Sequence, residues 1–177
     1  MDDRVSVYIS EEDIKNKIKQ LGAQITKDYE GKTPILVSVL KGSFVFMADL
    51  ARAIDLNCPV DFMVVSSYGS GTATSGSVKI IKDLQVDIAG KDIIIIEDIL
   101  DSGVTLSNLR KMLGERGANS IKICTLLDKP ARRVADVTPD YKGFTIDDKF
   151  IVGYGLDYAE MYRNLPFIGV LDPKVYS

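Results

Sequence analysis

The 177-residue sequence contains no histidine. That absence removes histidine-based triads and imidazole metal sites, so any metal bound here must be a hard, oxygen-liking ion. There are two cysteines, Cys58 and Cys124, without CxxC spacing. A disulfide framework or zinc site is thereby disfavoured, and both are expected as small buried hydrophobes. No apolar run approaches the roughly 18 residues that a bilayer-spanning helix needs, and the first thirty residues are acidic and amphipathic, unlike a signal peptide. No membrane partner and a cytoplasmic location are therefore expected. No GxxxxGK[ST] loop occurs, and Gly69-Ser70-Gly71 lacks the spacing and context of a dinucleotide fingerprint, so a nucleoside triphosphatase and a nicotinamide enzyme are disfavoured. An excess of positive charge is missing too. Lys and Arg number 22 against 25 Asp and Glu, a net charge of −3, and nothing global argues for a nucleic-acid partner.

What is present fits one globular domain over residues 1–177: 46% of residues are hydrophobic and 27% charged, and no linker or internal repeat divides them. Ser10-Glu11-Glu12-Asp13 supplies a hydroxyl cap and an acidic first turn to an amphipathic helix over 11–29. After Gly31 to Pro34, Ile35 to Leu40 reads as a buried strand, followed by Lys41-Gly42-Ser43, a helical repeat from Phe44 to Ile54, and a strand from Val60 to Val65. The same strand, helix, strand grammar recurs from Ile93 to Ile96 through Leu106, Leu109, Met112 and Leu113 to Ile121–Leu127. Two such units predict an α/β fold with a mostly parallel sheet and right-handed crossovers. Between them, residues 66–77 are rich in Ser, Gly and Thr and are expected as a long lid loop, with a strand returning over Val78 to Leu84. Short strands are expected near Phe144 to Ile146, Phe150 to Tyr154 and Ile168 to Leu171.

The densest chemistry follows the four isoleucines. Glu97-Asp98-Ile99-Leu100-Asp101-Ser102-Gly103-Val104-Thr105 joins a strand end to a helix start, where unpaired N–H groups, two hydroxyls and the helix dipole make a phosphate cradle. Glu97 and Asp98 are acceptors suited to a vicinal diol or to a magnesium ion. A phosphorylated ribose satisfies both demands.

The run Ile93 to Thr105 closely resembles the phosphoribosyl-diphosphate-binding signature of the type I phosphoribosyltransferases. Leu40-Lys41-Gly42, Ser66 to Gly69, Leu127-Asp128-Lys129 and Asp148 to Tyr158 with Arg163 are similar, in the same order, to segments of the members that use hypoxanthine and guanine. The resemblance spans essentially the whole chain. It implies that family's fold, with a small hood built from the N- and C-terminal segments and a flexible lid loop. It also implies transfer of 5-phosphoribosyl from phosphoribosyl diphosphate to N9 of hypoxanthine or guanine, giving IMP or GMP and diphosphate, with Mg2+ as cofactor. Glu97 and Asp98 would hold the ribose hydroxyls and the metal, with Asp157 as a second metal ligand. Asp101 to Thr105 would wrap the 5-phosphate, and Asp101 would act as general base or acid at purine N7. Lys41 and Gly42, at a strained or cis peptide, would bind diphosphate together with Arg163. Ser67 and Tyr68 would close the lid. Lys129 would donate to O6, Phe150 would stack on the base, and the backbone around Ile151 and Asp157 would read its other edge. Ser102 and Gly155 are small-for-small departures expected to tune affinity only. A homodimer or homotetramer is implied, with the basic pair Arg132-Arg133 a candidate for its interface. Two alternatives stand beside this reading: a non-catalytic phosphoribosyl-diphosphate sensor, and a sibling enzyme preferring xanthine or adenine.

Overall fold

Alternation along two neighbouring strands decides where the helices go. A computed structural model of the chain describes residues 4–67 and 78–176. In chain order its elements are β1 (Val5–Ile9), α1 (Glu11–Asp28), β2 (Ile35–Leu40), α2 (Phe44–Ala53), β3 (Val60–Ser67), β4 (Val78–Lys82), β5 (Asp92–Leu100), α3 (Val104–Glu115), β6 (Ser120–Asp128), β7 (Tyr141–Thr145), β8 (Ile151–Val152) and β9 (Ile168–Leu171). Leu36, Ile94 and Ile96 point to one face and pack with Ile14, Ile18, Leu21 and Ile25 of α1 and Phe46, Met47 and Leu50 of α2. Ile35, Val37, Val39, Ile93 and Ile95 point to the other and pack with Leu106, Leu109 and Leu113 of α3. Both faces are covered, which is why β5 reads as an unbroken apolar run rather than an alternating one. Ser10 caps α1 by accepting the N–H of Asp13, as its position before three acidic residues predicts.

These strands form a six-stranded sheet in the order β4-β3-β2-β5-β6-β7, parallel except for the β3–β4 pair. A second, antiparallel sheet of three strands, β1-β9-β8, joins the two ends of the chain. Its core is Val5, Val152, Phe167 and Leu171. The sequence reading had no strand at Val5–Ile9. Its partner β9 lies at the far end of the chain, and five residues without a local partner give little signal on their own.

Two further differences matter for the site. The strand β5 continues through Glu97 and Asp98 to Leu100, with Ile99 paired to Leu127 and Leu100 to Asp128, so the two carboxylates sit on a strand rather than in a loop. Cys124 is buried as expected, whereas Cys58 is half-buried. Residues 68–77, with Tyr68 and most of the expected lid, lie outside the described residues, and of Ser67 only the backbone, closing β3, is described. Among the described residues no helix is long and apolar enough to cross a membrane.

Candidate functional site

The chain leaves β2 towards β3 and leaves β5 towards β6, although β2 and β5 are neighbours. The crossovers therefore diverge between them. Open α/β sheets bind ligands in the crevice outside the carboxyl ends of the strands at such a switch point. The residues that this topology delivers there are Lys41 and Gly42 after β2, and Glu97, Asp98 and their loop at the end of β5.

The peptide bond between Leu40 and Lys41 is cis. A side chain on Gly42 would overlap the Asp98 carboxylate, and one on Gly155 would overlap the Gly42 carbonyl. Three segments distant in sequence thus meet closely, Gly155 on the Gly42 backbone and Gly42 on the Asp98 carboxylate. Gly155 also has φ +100°, in the left-handed region, so geometry holds this position to glycine beyond any expected effect on affinity.

Glu97 to Gly103, with Thr105 and Leu106, line a cavity of about 160 Å³. Gly103, at φ +80°, turns the chain into α3. The first N–H groups of that helix have no partner within it, so they and the helix dipole favour an anion at the cavity. Val104 begins the helix with its side chain exposed, and among the expected loop residues it alone is absent from the cavity wall.

Burial, and then the adjacent Asp98 charge, hold the Glu97 carboxyl well above the usual range, and burial raises Asp98 as well. A carboxyl whose folded pKa is raised binds protons more tightly in the native than in the unfolded chain, so stability is lost as pH rises above the ordinary value. That value is about 4.5 for glutamate. Glu97→Gln, which keeps a donor towards Asp98, should therefore raise Tm at pH 7, by roughly 2–4 °C for each kcal/mol relieved in a chain of this size. The gain should vanish below the ordinary glutamate range. A thermal scan showing no gain at pH 7, or the same gain at pH 4, would contradict the cause assigned here.

A second cavity, of about 270 Å³, is lined by Ile99, Asp101, Lys129, Arg132, Asp148, Lys149, Phe150, Ile151, Leu156 and Tyr176. Lys129, Phe150 and Ile151 are thus brought together as expected. Lys129 is only 6% exposed; its ammonium donates to the Lys149 carbonyl at 2.9 Å and lies 3.5 Å from Asp148. Phe150 carries Tyr176 stacked on it, with centroids 4.6 Å apart, and Tyr158 edge-on at 5.6 Å. The reading of the sequence gave no role to Ile99 and Leu156, apolar residues inside the quoted motifs, and missed Tyr176, which has no motif around it. Ile99 and Asp101 line both cavities. One oxygen of the Asp101 carboxylate is buried there without a hydrogen-bond partner among the described residues.

Asp157 and Arg163 are arranged differently. Asp157 is ion-paired with Arg163 at 2.9 Å and accepts the Glu160 N–H. Arg163 donates to the Gly155 carbonyl at 2.8 Å. Glu160 lies 3.1 Å from Lys41 and 3.6 Å from Arg163, so one carboxylate reaches both cations expected at the diphosphate. The basic pair divides: Arg132 meets Asp148 at the surface, whereas the Arg133 guanidinium is turned inward onto Asp128 and backbone carbonyls. The Arg133 guanidinium is thus engaged within the chain, while Arg132 stays at the surface.

Comparison with known proteins places the chain among relatives of one family. A family profile described as "Phosphoribosyl transferase domain" matches residues 9–159. The chain is 58% identical over 171 residues to the hypoxanthine-guanine phosphoribosyltransferase of Bacillus subtilis (strain 168), covering 97% of this chain and 95% of that one. It is 55% identical over 175 residues to the protein of the same name in Staphylococcus aureus (strain Mu50 / ATCC 700699), covering 99% and 98%. A crystal structure of a hypoxanthine phosphoribosyltransferase from Staphylococcus aureus superposes with a TM-score of 0.94 at 56% identity, covering 97% of this chain and 94% of that one.

Proposed function

The chain belongs to the phosphoribosyl transferase family, and from that premise we propose how its residues share the work. It is a purine-salvage enzyme that transfers a phosphoribosyl group to hypoxanthine or guanine. The donor is phosphoribosyl diphosphate, the new bond runs from C1 of the ribose to N9 of the base, and the C1 bond to diphosphate breaks, releasing IMP or GMP. We read the three-stranded sheet as a hood on a single domain, the enzyme as cytoplasmic, and the working form as a homodimer or homotetramer.

The observation that carries this division is the pair of adjoining cavities sharing Asp101. The first holds the sugar phosphate: N–H groups from Asp101 to Thr105 take the 5-phosphate, and Glu97 and Asp98 accept from the ribose hydroxyls. The second holds the base: Lys129 donates to O6, Phe150 and Ile151 flank the ring, and Asp101, at the junction, exchanges a proton with N7. Lys41, Gly42 and Arg163 receive the diphosphate, for which the two cations must exchange Glu160 for substrate.

The donor set fits magnesium. Among the described residues no third His, Cys, Asp or Glu gathers with Glu97 and Asp98 into a metal cluster, and magnesium commonly uses one or two protein carboxylates together with waters and substrate phosphates. Burial of two adjacent carboxylates also favours a cation beside them. Bound there, the ion would neutralise charge on the diphosphate. Asp157 would serve as a further ligand only after parting from Arg163.

The test is to mix protein, magnesium and phosphoribosyl diphosphate with hypoxanthine, guanine, xanthine or adenine in turn and to follow absorbance. Turnover with the first two and little with adenine is expected. Binding of the donor without turnover of any base would favour the sensor, and preferential use of xanthine or adenine the sibling enzyme.

A further inference from the structure

Arg133 lines neither cavity, yet it controls the backbone of the first. Its Nε donates to the Asp101 carbonyl at 2.9 Å, and Nη2 donates to the Leu100 carbonyl at 3.1 Å and to the Asp128 carboxylate. Nη1 donates to the Val137 carbonyl. The next two residues continue the pattern, since the N–H groups of Val134 and Ala135 both donate to the Ser102 carbonyl, at 2.9 and 3.0 Å. The Leu100 carbonyl also accepts from the Lys129 N–H at 2.9 Å. Three successive carbonyls of the loop, Leu100, Asp101 and Ser102, are thus drawn to the side occupied by residues 129–135.

A trans peptide is planar, with its C=O and N–H on opposite sides. Fixing those three carbonyls therefore aims the N–H groups of Asp101, Ser102 and Gly103 the other way. We propose that Arg133 is a positioning residue for the phosphate cradle: it never touches substrate, but holds the loop carbonyls back so that the loop N–H groups converge on the 5-phosphate. This rests on the assignment of that loop to the phosphate. Arginine suits the task because one rigid guanidinium offers five donors in a fixed fork, and here it serves three carbonyls and one carboxylate at once; lysine has a single point charge on a flexible stem. Buried Asp128, 6% exposed, accepts from the guanidinium and holds it in place. It also precedes Lys129, so the same ion pair anchors the loop beside the lysine that faces the base.

The experiment separates phosphate recognition from general damage by comparing ligands that differ only in that phosphate. Dissociation constants for IMP and for inosine are measured by calorimetry in the unmodified protein, Arg133→Gln and Arg133→Lys, with folding checked by circular dichroism. The unmodified protein should bind IMP far more tightly than inosine. In Arg133→Gln that ratio should fall by about tenfold or more, the order expected when donors shift by a fraction of an ångström. Arg133→Lys should lie between. A merely structural role would weaken both ligands together and leave the ratio alone; an unchanged ratio in folded Arg133→Gln overturns the proposal. Should that variant not fold, the lysine variant decides on the same criterion, because it keeps a cation for Asp128 but cannot serve all three carbonyls. Equal affinity of the unmodified protein for IMP and inosine would instead refute the phosphate assignment itself.

Discussion

Asp101→Asn should lower kcat by about 10²–10⁴-fold, the range attached to a positioned general acid or base, while changing the KM values of donor and base much less. The substitution keeps size and hydrogen-bonding shape but leaves no carboxylate to take or give a proton. Geometry gives the expectation its strength. The side chain stands where the two cavities meet, and one of its oxygens is buried without a hydrogen-bond partner among the described residues. A buried acceptor left unpaired is costly, so its retention there points to a partner that arrives with the substrate. The main chain of Asp101 is already held through its carbonyl by Arg133, so the side chain needs no structural role. Steady-state kinetics with hypoxanthine decide the matter: a kcat within a factor of three of the unmodified protein would remove Asp101 from the chemistry.

On the proposed reading, Lys129 selects the base by donating to its position 6. Hypoxanthine and guanine present an acceptor at position 6, adenine an amino donor, so a buried ammonium meets a partner in one case and another donor in the other. Sites built on such hydrogen bonds discriminate by about 10⁴–10⁵-fold. Lys129 is held by the Lys149 carbonyl at 2.9 Å, which limits its freedom to swing away from a wrong base. Lys129→Gln, whose amide can turn to offer either an N–H or an oxygen, should reduce the hypoxanthine-to-adenine ratio of kcat/KM by roughly 10²-fold or more, as losing one charged hydrogen bond implies. The comparison is internal to one variant, so a general loss of activity cancels. A ratio that stays put would move the reading of the base to Phe150, Ile151 and their backbone.

Both residues were legible in the sequence, for different physical reasons. Asp101 lies in a continuous stretch whose chemistry is local: an apolar strand, carboxylates, a glycine with the freedom to turn, and a helix start. Lys129 carries no local signal and becomes visible only through the order of distant segments resembling a known family. The sheet was readable because β2, β3, β5 and β6 alternate with helices whose apolar spacing is regular. What escaped was whatever depends on distant pairing. Nothing near Val5 to Ile9 announces β9, and nothing beside Tyr176 announces Phe150. The inward turn of Arg133 was not legible because a basic pair looks like surface until its partners, three backbone carbonyls and Asp128, are seen; carbonyls have no sequence signature. Glu160 escaped because its partner Lys41 is far away in sequence and nothing local announces the ion pair.

The small sheet also sets an order of assembly. The β1 strand pairs with β9, Val5 opposite Leu171, so its register closes only when the two ends of the chain meet. The entropy of closing such a loop grows with its length, and contacts of this separation form after local ones. The wall beneath Phe150 hangs on the same event, because the Leu171 N–H donates to the Phe150 carbonyl at 3.0 Å and, among the described residues, β8 pairs only with β9. The cradle needs β2, β5, α3, β6 and the segment after it that carries Arg133, all complete by Val137. During synthesis from the N-terminus, the half assigned above to the sugar phosphate can therefore take shape while the half assigned to the base still waits for the last strand.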